Sequence, residues 1–306
     1  MLGRRVVERA PEATRYVRVR DVRVPTLVYG TAWKEGETTR LTTMAIDAGF
    51  RGIDTANQRR HYFEAGVGEA LASALAAGRL EREDVFVQTK FTYVDGQDHR
   101  LPYDPRAPLA TQVEQSFASS LKHLGVDYLD SFVLHGPSTR RGLTAGDWET
   151  WQAMERLHGA GKTRLLGVSN VNLGQLDELY EGASTKPAIV QNRCFASMGW
   201  DRAVRQFCIE RDILYQGFSL LTANREVLID RRVHEIASRT GRTVPQVIFR
   251  FALQVGMSAL TGTTSATHMR EDLGVYDFEL QPDEVQPSTE SVTRPDSPGE
   301  AGALAP

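Results

Sequence analysis

The chain has 306 residues, of which 41% are hydrophobic and 25% are charged, and its formal net charge is −3. This length suits one large α/β domain or two modest ones and exceeds that of a small β-sandwich. The charge predicts neither a nucleic-acid partner nor an anionic membrane surface, and no apolar run reaches the ~20 residues of a membrane span.

The first 20 residues and the two cysteines carry no targeting or redox signal. The segment 1–20 lacks the apolar stretch of a secretory signal, and Glu8 and Glu12 among its arginines argue against an organellar transit peptide. Cys194 and Cys208 lack metal-ligand spacing, so we expect reduced packing residues and no metal site. We therefore predict a cytoplasmic protein with an N-terminal extension over 1–20.

Short apolar runs alternate with helix-like stretches from about residue 25 to residue 275. Polar or glycine residues close each run, which is typical of strands that are buried on both faces. Amphipathic spacing predicts a helix over 107–124, and Thr243 and Pro245 mark the start of the second of two helices within 230–254. The eight predicted strands are 26–31, 51–55, 85–90, 128–134, 164–169, 188–192, 213–217 and 258–263.

The number of strand–helix units predicts the fold class. Eight units close into a parallel (β/α)8 TIM barrel without leaving a sheet edge. The absence of a G-x-G-x-x-G motif after the first strand disfavours an open dinucleotide-binding sheet. We predict a single barrel domain over 21–281, followed by a disordered, proline-rich tail over 282–306.

Polar residues close several predicted strands, where such a barrel gathers its chemistry. Asp54, Lys90 and His135 end the second, third and fourth strands. Taken singly, each has an ordinary structural explanation as a helix cap, a solvated charge or a core histidine. Their shared position on one rim indicates an active site.

Proton delivery to a carbonyl oxygen is the chemistry that these residue types support. Tyrosine has an ordinary pKa of ~10, and a lysine ammonium within ~4–6 Å stabilises the phenolate and lowers that pKa. A carboxylate keeps the lysine charged and aimed, although it weakens the effect on the phenol. A neutral histidine can hydrogen-bond the substrate oxygen. The candidates for these four roles are Tyr62, Lys90, Asp54 and His135.

Six sequence motifs occur in the order that is familiar from one enzyme family. They are GFRGIDTA, EAGVGEAL, VFVQTKF, YLDSFVLHGP, LLGVSN and IVQN. With these motifs the chain resembles the aldo-keto reductase family over about residues 30–280, and in particular members with a D-T-A-N-Q-x-x-H-Y insertion and a T-G-T-T-S segment. The resemblance implies a barrel that binds an extended nicotinamide cofactor and reduces an aldehyde or ketone by hydride transfer. It also implies that the family's four catalytic residues, an aspartate, a tyrosine, a lysine and a histidine, correspond to Asp54, Tyr62, Lys90 and His135.

The resemblance further implies the cofactor contacts. Polar side chains after the fifth and sixth strands would hold the nicotinamide carboxamide, and Phe218 would stack on its ring where the family usually has tyrosine. Ser219 and Leu221 would contact the pyrophosphate, and Glu271 and Asp272 the adenine amine. The full implied set is Gly30, Thr31, Asp54, Ser169, Asn170, Gln191, Phe218, Ser219, Leu221, Thr263, Thr264, His268, Glu271 and Asp272.

The loop after the second strand departs from the family's length. Counting back from Glu64 to the usual tyrosine reaches His61 rather than Tyr62. We favour Tyr62 as the acid, because a phenol–lysine pair has the required chemistry and an insertion can shift the register; His61 is the alternative acid. Arg59 and Arg60 are either solvated or contacts for an anionic substrate.

The segment after the eighth strand also departs from the family. Members that prefer the phosphorylated cofactor usually present a lysine and an arginine here, and this chain has Gly262 and His268 in their places. Thr263, backbone amides at the helix start and Arg270 are alternative phosphate contacts. We predict NADPH as the cofactor, with NADH as the alternative.

The loop 91–106 is predicted to overhang the pocket, with Tyr93 and Tyr103 either lining it or pinning the loop. The predicted partner is a small-molecule carbonyl compound, with secondary metabolism as one setting for it, and the oligomeric state is left open. A nicotinamide-binding regulatory or sensor subunit is the main alternative. An isomerase or aldolase with a Schiff base on Lys90 is a further one. The predicted substrate contacts are Trp33, His61, Tyr93, Tyr103 and His135.

Overall fold

An antiparallel hairpin of strands β1 (Tyr16–Val19) and β2 (Val22–Pro25) precedes the barrel in the structure, a computed structural model that describes residues 15–285. Valine alternates with arginine in both strands, so the valines share one face. They pack in one cluster with Phe86 and Ile189, the first residues of two barrel strands. The hairpin therefore covers the amino-terminal end of the barrel, and the predicted domain boundary at residue 20 falls in its turn.

Eight parallel strands form a closed barrel, which confirms the predicted fold. Neighbouring strands pair in chain order, and the last pairs with the first through Thr261 opposite Tyr29. Closure leaves no sheet edge exposed. The strands are β3 (Leu27–Gly30), β4 (Gly52–Asp54), β5 (Phe86–Phe91), β6 (Leu129–Leu134), β7 (Thr163–Ser169), β8 (Ile189–Arg193), β9 (Leu214–Phe218) and β10 (Met257–Thr261).

Helices follow the barrel strands and bury their apolar faces on the outside of the barrel. In the helix predicted over 107–124, Val113, Phe117 and Leu124 are buried. Thr243 caps the helix that begins at Val244, as predicted, by accepting a hydrogen bond from the Gln246 amide. The helices are α1 (Thr38–Ala48), α2 (Glu64–Ala76), α3 (Leu109–Leu124), α4 (Ala145–Gly159), α5 (Leu173–Gly182), α6 (Arg202–Glu210), α7 (Arg225–Leu228), α8 (Arg231–Thr240), α9 (Val244–Gln254), α10 (Ala266–Leu273) and α11 (Pro282–Val285).

Two glutamine amides cross the interior of the barrel. Gln88 Nε2 donates to Asp54 Oδ1 and to Gln216 Oε1, both at 2.8 Å. Gln191 Nε2 donates to the same two oxygens at 2.9 and 3.0 Å. The Gln88–Gln216 and Gln191–Asp54 bonds join strands that are not neighbours in the sheet, so these two bonds run through the lumen. They fix the Asp54 carboxylate at the rim of the barrel.

The described part of the predicted tail packs on the barrel. Pro282–Val285 form the short helix α11, and Glu284 accepts hydrogen bonds from the Arg239 guanidinium. The rest of that segment, like residues 1–14, lies outside the described residues. Cys194 and Cys208 are both free and buried. Within residues 15–285 no helix is long and apolar enough to cross a membrane.

Candidate active site

A cavity of about 1150 Å³ opens where the barrel strands end. This volume exceeds the roughly 300–1,000 Å³ of typical small-ligand pockets, which leaves space for an extended ligand beside a second, smaller one. Loops after different strands contribute to its wall, and most of the predicted site residues meet there. They are Gly30, Trp33, Asp54, His61, Tyr62, Tyr93, His135, Ser169, Asn170, Gln191, Phe218, Ser219, Leu221, Thr263, His268, Glu271 and Asp272.

A buried ion pair lies at the base of this cavity. Lys90 Nζ is 2.7 Å from both carboxylate oxygens of Asp54 and donates to the Thr55 carbonyl at 2.8 Å. The Lys90 side chain is only 1% exposed. Burial lowers the pKa of Lys90, and the Asp54 charge opposes that shift. The pair keeps an ammonium in place where an isolated cation would be expensive to bury.

Tyr62 lies beside this pair and beside a histidine. Its ring centroid is 5.3 Å from Lys90 Nζ and 6.0 Å from the centre of the His135 ring. Burial raises the pKa of Tyr62, and the Asp54 charge raises it further. This direction corrects our expectation that Lys90 lowers the Tyr62 pKa, because burial of the phenol and then the Asp54 charge raise it. The phenol therefore keeps its proton at neutral pH.

The His61 side chain makes different contacts. Its ring centre is 3.9 Å from that of Trp33, and its Nδ1 lies 2.9 Å from Gln58 Oε1. Burial lowers the pKa of His61, and the neighbouring Arg60 charge adds to this shift. In the turn that begins at Gln58, His61 thus packs toward the cavity mouth, whereas Tyr62 packs toward Lys90.

His135 is held as a neutral imidazole. Its Nδ1 lies 2.7 Å from Thr92 Oγ1, so Nε2 is the ring nitrogen left for a ligand. Burial lowers the pKa of His135 to about 3, and the Lys90 charge contributes. At neutral pH this side chain carries no charge and can hydrogen-bond an uncharged oxygen.

The wall formed by β7, β8 and β9 offers amide groups and an aromatic face. Ser169 Oγ donates to the Gln191 carbonyl at 2.5 Å, and Asn170 Nδ2 donates to the His135 carbonyl at 2.8 Å. Asn170 and Ser219 have left-handed φ angles of 52° and 58°, which re-aim the chain at the ends of two strands. Together with the half-buried Phe218 ring, these groups fit a flat ring that carries a carboxamide.

The far end of the cavity lies at β10 and α10. Thr263 and His268 line it beside Glu271 and Asp272. Burial raises the pKa of Asp272 to about 6, and its Oδ2 accepts a hydrogen bond from Thr261 Oγ1 at 2.7 Å. The Thr261 side chain at the end of β10 thus fixes the Asp272 carboxylate on α10.

Three residues of the predicted cofactor and substrate sets lie outside the cavity lining. Tyr103 is 6% exposed, its hydroxyl donates to the Thr92 carbonyl at 2.7 Å, and its ring packs on Phe91, so it pins the 91–106 loop. Thr31 is buried and donates to the Asp54 carbonyl at 3.0 Å, which makes it a support of the rim. Thr264 is exposed beyond the cavity edge. None of these three side chains lines the cavity, and their assignment as ligand contacts stays a prediction.

Lys34, Gln58 and Thr92 line the cavity and were absent from the predicted set. Thr92 orients His135, and Gln58 donates to the Gly96 carbonyl at 2.6 Å, which ties the loop after β4 to the loop after β5. Thr92 could have been predicted from the sequence, because it is a polar residue two positions after Lys90, just beyond the end of the third predicted strand. Lys34 follows the first barrel strand, and only the path of its loop brings it into the site.

A closed (β/α)8 barrel with a tyrosine, a lysine–carboxylate pair and a neutral histidine at its rim is a TIM-barrel oxidoreductase. The sequence profile of the Aldo/keto reductase family matches residues 26–292, and the chain belongs to this family. It is an enzyme of a family that typically reduces carbonyl compounds with a nicotinamide cofactor.

Relatives and solved structures agree with this assignment. The chain is 31% identical over 242 residues to the uncharacterized oxidoreductase YtbE of Bacillus subtilis (strain 168), with 79% of each protein covered. It is 30% identical over 294 residues to estradiol 17 beta-dehydrogenase 5 of Mus musculus, with 86% of each covered. The crystal structure of an aldo/keto reductase from Brucella melitensis matches with a TM-score of 0.77 and 25% identity, over 92% of this chain and 99% of that one.

Proposed function

We propose that the protein reduces an aldehyde or ketone to an alcohol with NADPH, and that Tyr62 donates the proton. The observation that carries this proposal is the position of the Tyr62 ring, 5.3 Å from Lys90 Nζ and 6.0 Å from the His135 ring, at the base of the cavity. A carbonyl group placed there meets one proton donor and one neutral hydrogen-bonding partner.

The charges around Tyr62 suit the reductive direction. Its raised pKa keeps the proton on Oη until the carbonyl oxygen gains negative charge. Proton transfer from Oη to that oxygen leaves a phenolate near the Lys90 ammonium, which stabilises it. Neutral His135 can hydrogen-bond the same oxygen without competing as an acid, because its pKa is far below neutrality.

The residues around the β7–β9 wall support a nicotinamide cofactor. Asn170 and Gln191 would hold its carboxamide, and Phe218 would cover one face of its ring. When bound, the cofactor supplies the hydride that adds to the carbonyl carbon. The protein's own side chains supply the proton and bind the carbonyl oxygen. These side chains are Tyr62, Lys90, Asp54 and His135.

The mouth of the cavity supports a substrate with an apolar portion. Trp33 is 71% exposed there, and its ring stacks with His61. Tyr93 is fixed on the opposite loop, because its hydroxyl donates to Asp147 Oδ1 at 2.9 Å. Arg59 lies over the Phe63 ring, at 4.6 Å from its centre, which favours a packing role over an anion contact.

Oxidation of NADPH by a panel of aldehydes and ketones tests this function. We expect turnover of carbonyl compounds that carry an apolar group. A protein that binds NADPH but oxidises it with none of the panel would contradict the proposal and favour the regulatory or sensor function. Borohydride trapping of a substrate on Lys90 would instead favour the Schiff-base alternative, which the Asp54 carboxylate opposes by keeping Lys90 protonated.

A further inference from the structure

Glu64 is a buried carboxylate beside the candidate active site that takes no direct part in the proposed proton transfer. It is the first residue of α2, two positions after Tyr62, and it is 4% exposed. Burial of a carboxylate is costly unless other groups bond it. Both bonds that hold its side chain lead to other elements of the fold, to β5 and to α3, so capping of its own helix does not explain its position.

The first of these bonds reaches the strand that carries Lys90. Thr89 Oγ1 donates to Glu64 Oε1 at 2.5 Å, and the Thr89 side chain is buried. Side chains alternate along a strand, so Lys90 points into the barrel while its neighbour Thr89 points outward to the helices. Tyr62 lies two residues before Glu64, and Lys90 directly follows Thr89. One hydrogen bond therefore ties the turn that carries the proton donor to the strand that carries the ammonium.

The second bond fixes the same carboxylate from α3. His123 Nδ1 lies 3.1 Å from Glu64 Oε2, and the His123 side chain is 39% exposed. The backbone of His123 is held against α2, because its carbonyl packs on Gly68 where a side chain would not fit. Both oxygens of the Glu64 carboxylate are thus fixed, and the start of α2 cannot move away from β5 without breaking the bond to Thr89.

The Glu64 carboxylate also adds a second negative charge near Lys90. Burial lowers the pKa of Lys90, and the charges of Asp54 and, to a smaller degree, Glu64 oppose this shift. The ammonium must keep its proton to stabilise the phenolate that proton transfer leaves on Tyr62. The other charged or titratable groups around Lys90 and Glu64 are Asp54 from β4, Tyr62 from the following turn, His135 after β6, His123 from α3, and Arg59 and Arg100 in a smaller cavity that Glu64 lines.

Building on the proposed function, we propose that Glu64 is a positioning residue for the proton transfer, whose carboxylate holds the turn that carries Tyr62 against β5. Its charge also helps Lys90 to remain an ammonium. Glu64 lies outside the lining of the large cavity, on the far side of the Tyr62 turn, so it touches neither substrate nor cofactor. It acts through Thr89 and Lys90 on the step in which Tyr62 gives up its proton.

Single-turnover reduction of an aldehyde by enzyme loaded with NADPH tests the hydrogen bond from Thr89. Thr89→Val keeps the shape of the side chain and removes its donor. We expect this variant to slow the reduction about 10- to 100-fold, as for a displaced catalytic group, with an unchanged Kd for NADPH. Thr89→Ser restores a hydroxyl and should recover most of the rate. A Thr89→Val enzyme that reacts at the wild-type rate would overturn the inference.

Glu64→Gln tests the charge with a side chain of the same shape, whose oxygen can still accept the hydrogen bond from Thr89. With one supporting charge removed, Lys90 should lose its proton more readily, so the alkaline limb of the single-turnover pH profile should move to lower pH. Glu69→Gln, at an exposed position on the same helix, is the matched control and should leave this limb in place.

The pH profile of Glu64→Gln decides the inference even if Thr89→Val does not fold. An alkaline limb that stays at its wild-type position would reduce Glu64 to a packing residue of α2 and overturn the inference. Wild-type enzyme that reduces no carbonyl compound would contradict the proposed function itself.

Discussion

The Lys90 ammonium lies 2.7 Å from both carboxylate oxygens of Asp54, and these two buried side chains connect the interior of the barrel to the candidate active site. Removing one partner leaves an unbalanced buried charge. We expect Asp54→Asn to lower the free energy of unfolding by roughly 3–5 kcal/mol, and Asp54→Asn combined with Lys90→Met to lower it by less. Urea unfolding of both variants measures the difference.

An ion pair on the surface serves as the control for this comparison of the single and double variants of Asp54 and Lys90. Arg40 and Glu37 lie on the surface, and Glu37→Gln should change stability by less than about 1 kcal/mol. Effects of the Asp54 and Lys90 substitutions that simply add would contradict the coupling that their geometry predicts.

The pH dependence of stability carries a contribution from His135. Burial and the Lys90 charge lower its pKa from 6.5 to about 3. Between these values the unfolded chain binds a proton that the folded chain does not, so His135 reduces stability as the pH falls through this window. We expect His135→Gln to flatten the fall in unfolding free energy between pH 6.5 and 3. An NMR titration in which the His135 ring protonates near pH 6.5 would be inconsistent with the site described here.

Helices α2 and α3 approach closely at Gly68. A Cβ atom on Gly68 would lie 1.9 Å from the His123 carbonyl oxygen, so Gly68→Ala must push the two helices apart. We expect a loss of roughly 1–3 kcal/mol or more in the free energy of unfolding, measured in urea. Gly159→Ala, at a helical position with no atom near the new methyl group, should be neutral or slightly stabilising. Equal effects of the two substitutions would refute the close approach.

The barrel strands and the rim could be predicted because both depend on local patterns. Short apolar runs identify strands that are buried on both faces, and the polar residue that ends each run must lie on the rim once the barrel closes. The hairpin β1–β2 could also have been predicted from a local sequence pattern. Valine and arginine alternate on both sides of Arg20 and Asp21, which is the pattern of two strands and a turn, although we placed residues 1–20 in an extension.

The remaining features depend on three-dimensional paths that no local pattern encodes. Tyr103 faces the core because a backbone carbonyl eleven residues away accepts its hydroxyl hydrogen bond. Lys34 enters the cavity because its two neighbours adopt left-handed backbones. The Tyr62 pKa is raised first because the folded chain buries the phenol and second because it places the Asp54 carboxylate nearby.

Single-turnover reduction of an aldehyde by enzyme loaded with NADPH tests the central claim most directly. The account predicts that Tyr62→Phe slows this step by about 10²–10⁴-fold, as expected for the loss of a general acid, while the Kd for NADPH is retained. The matched variant His61→Asn should keep most of the wild-type rate, because its ring packs on Trp33 and not beside Lys90. A Tyr62→Phe enzyme that keeps its rate, together with a His61→Asn enzyme that loses it, would move the proton donor to His61 and contradict the account.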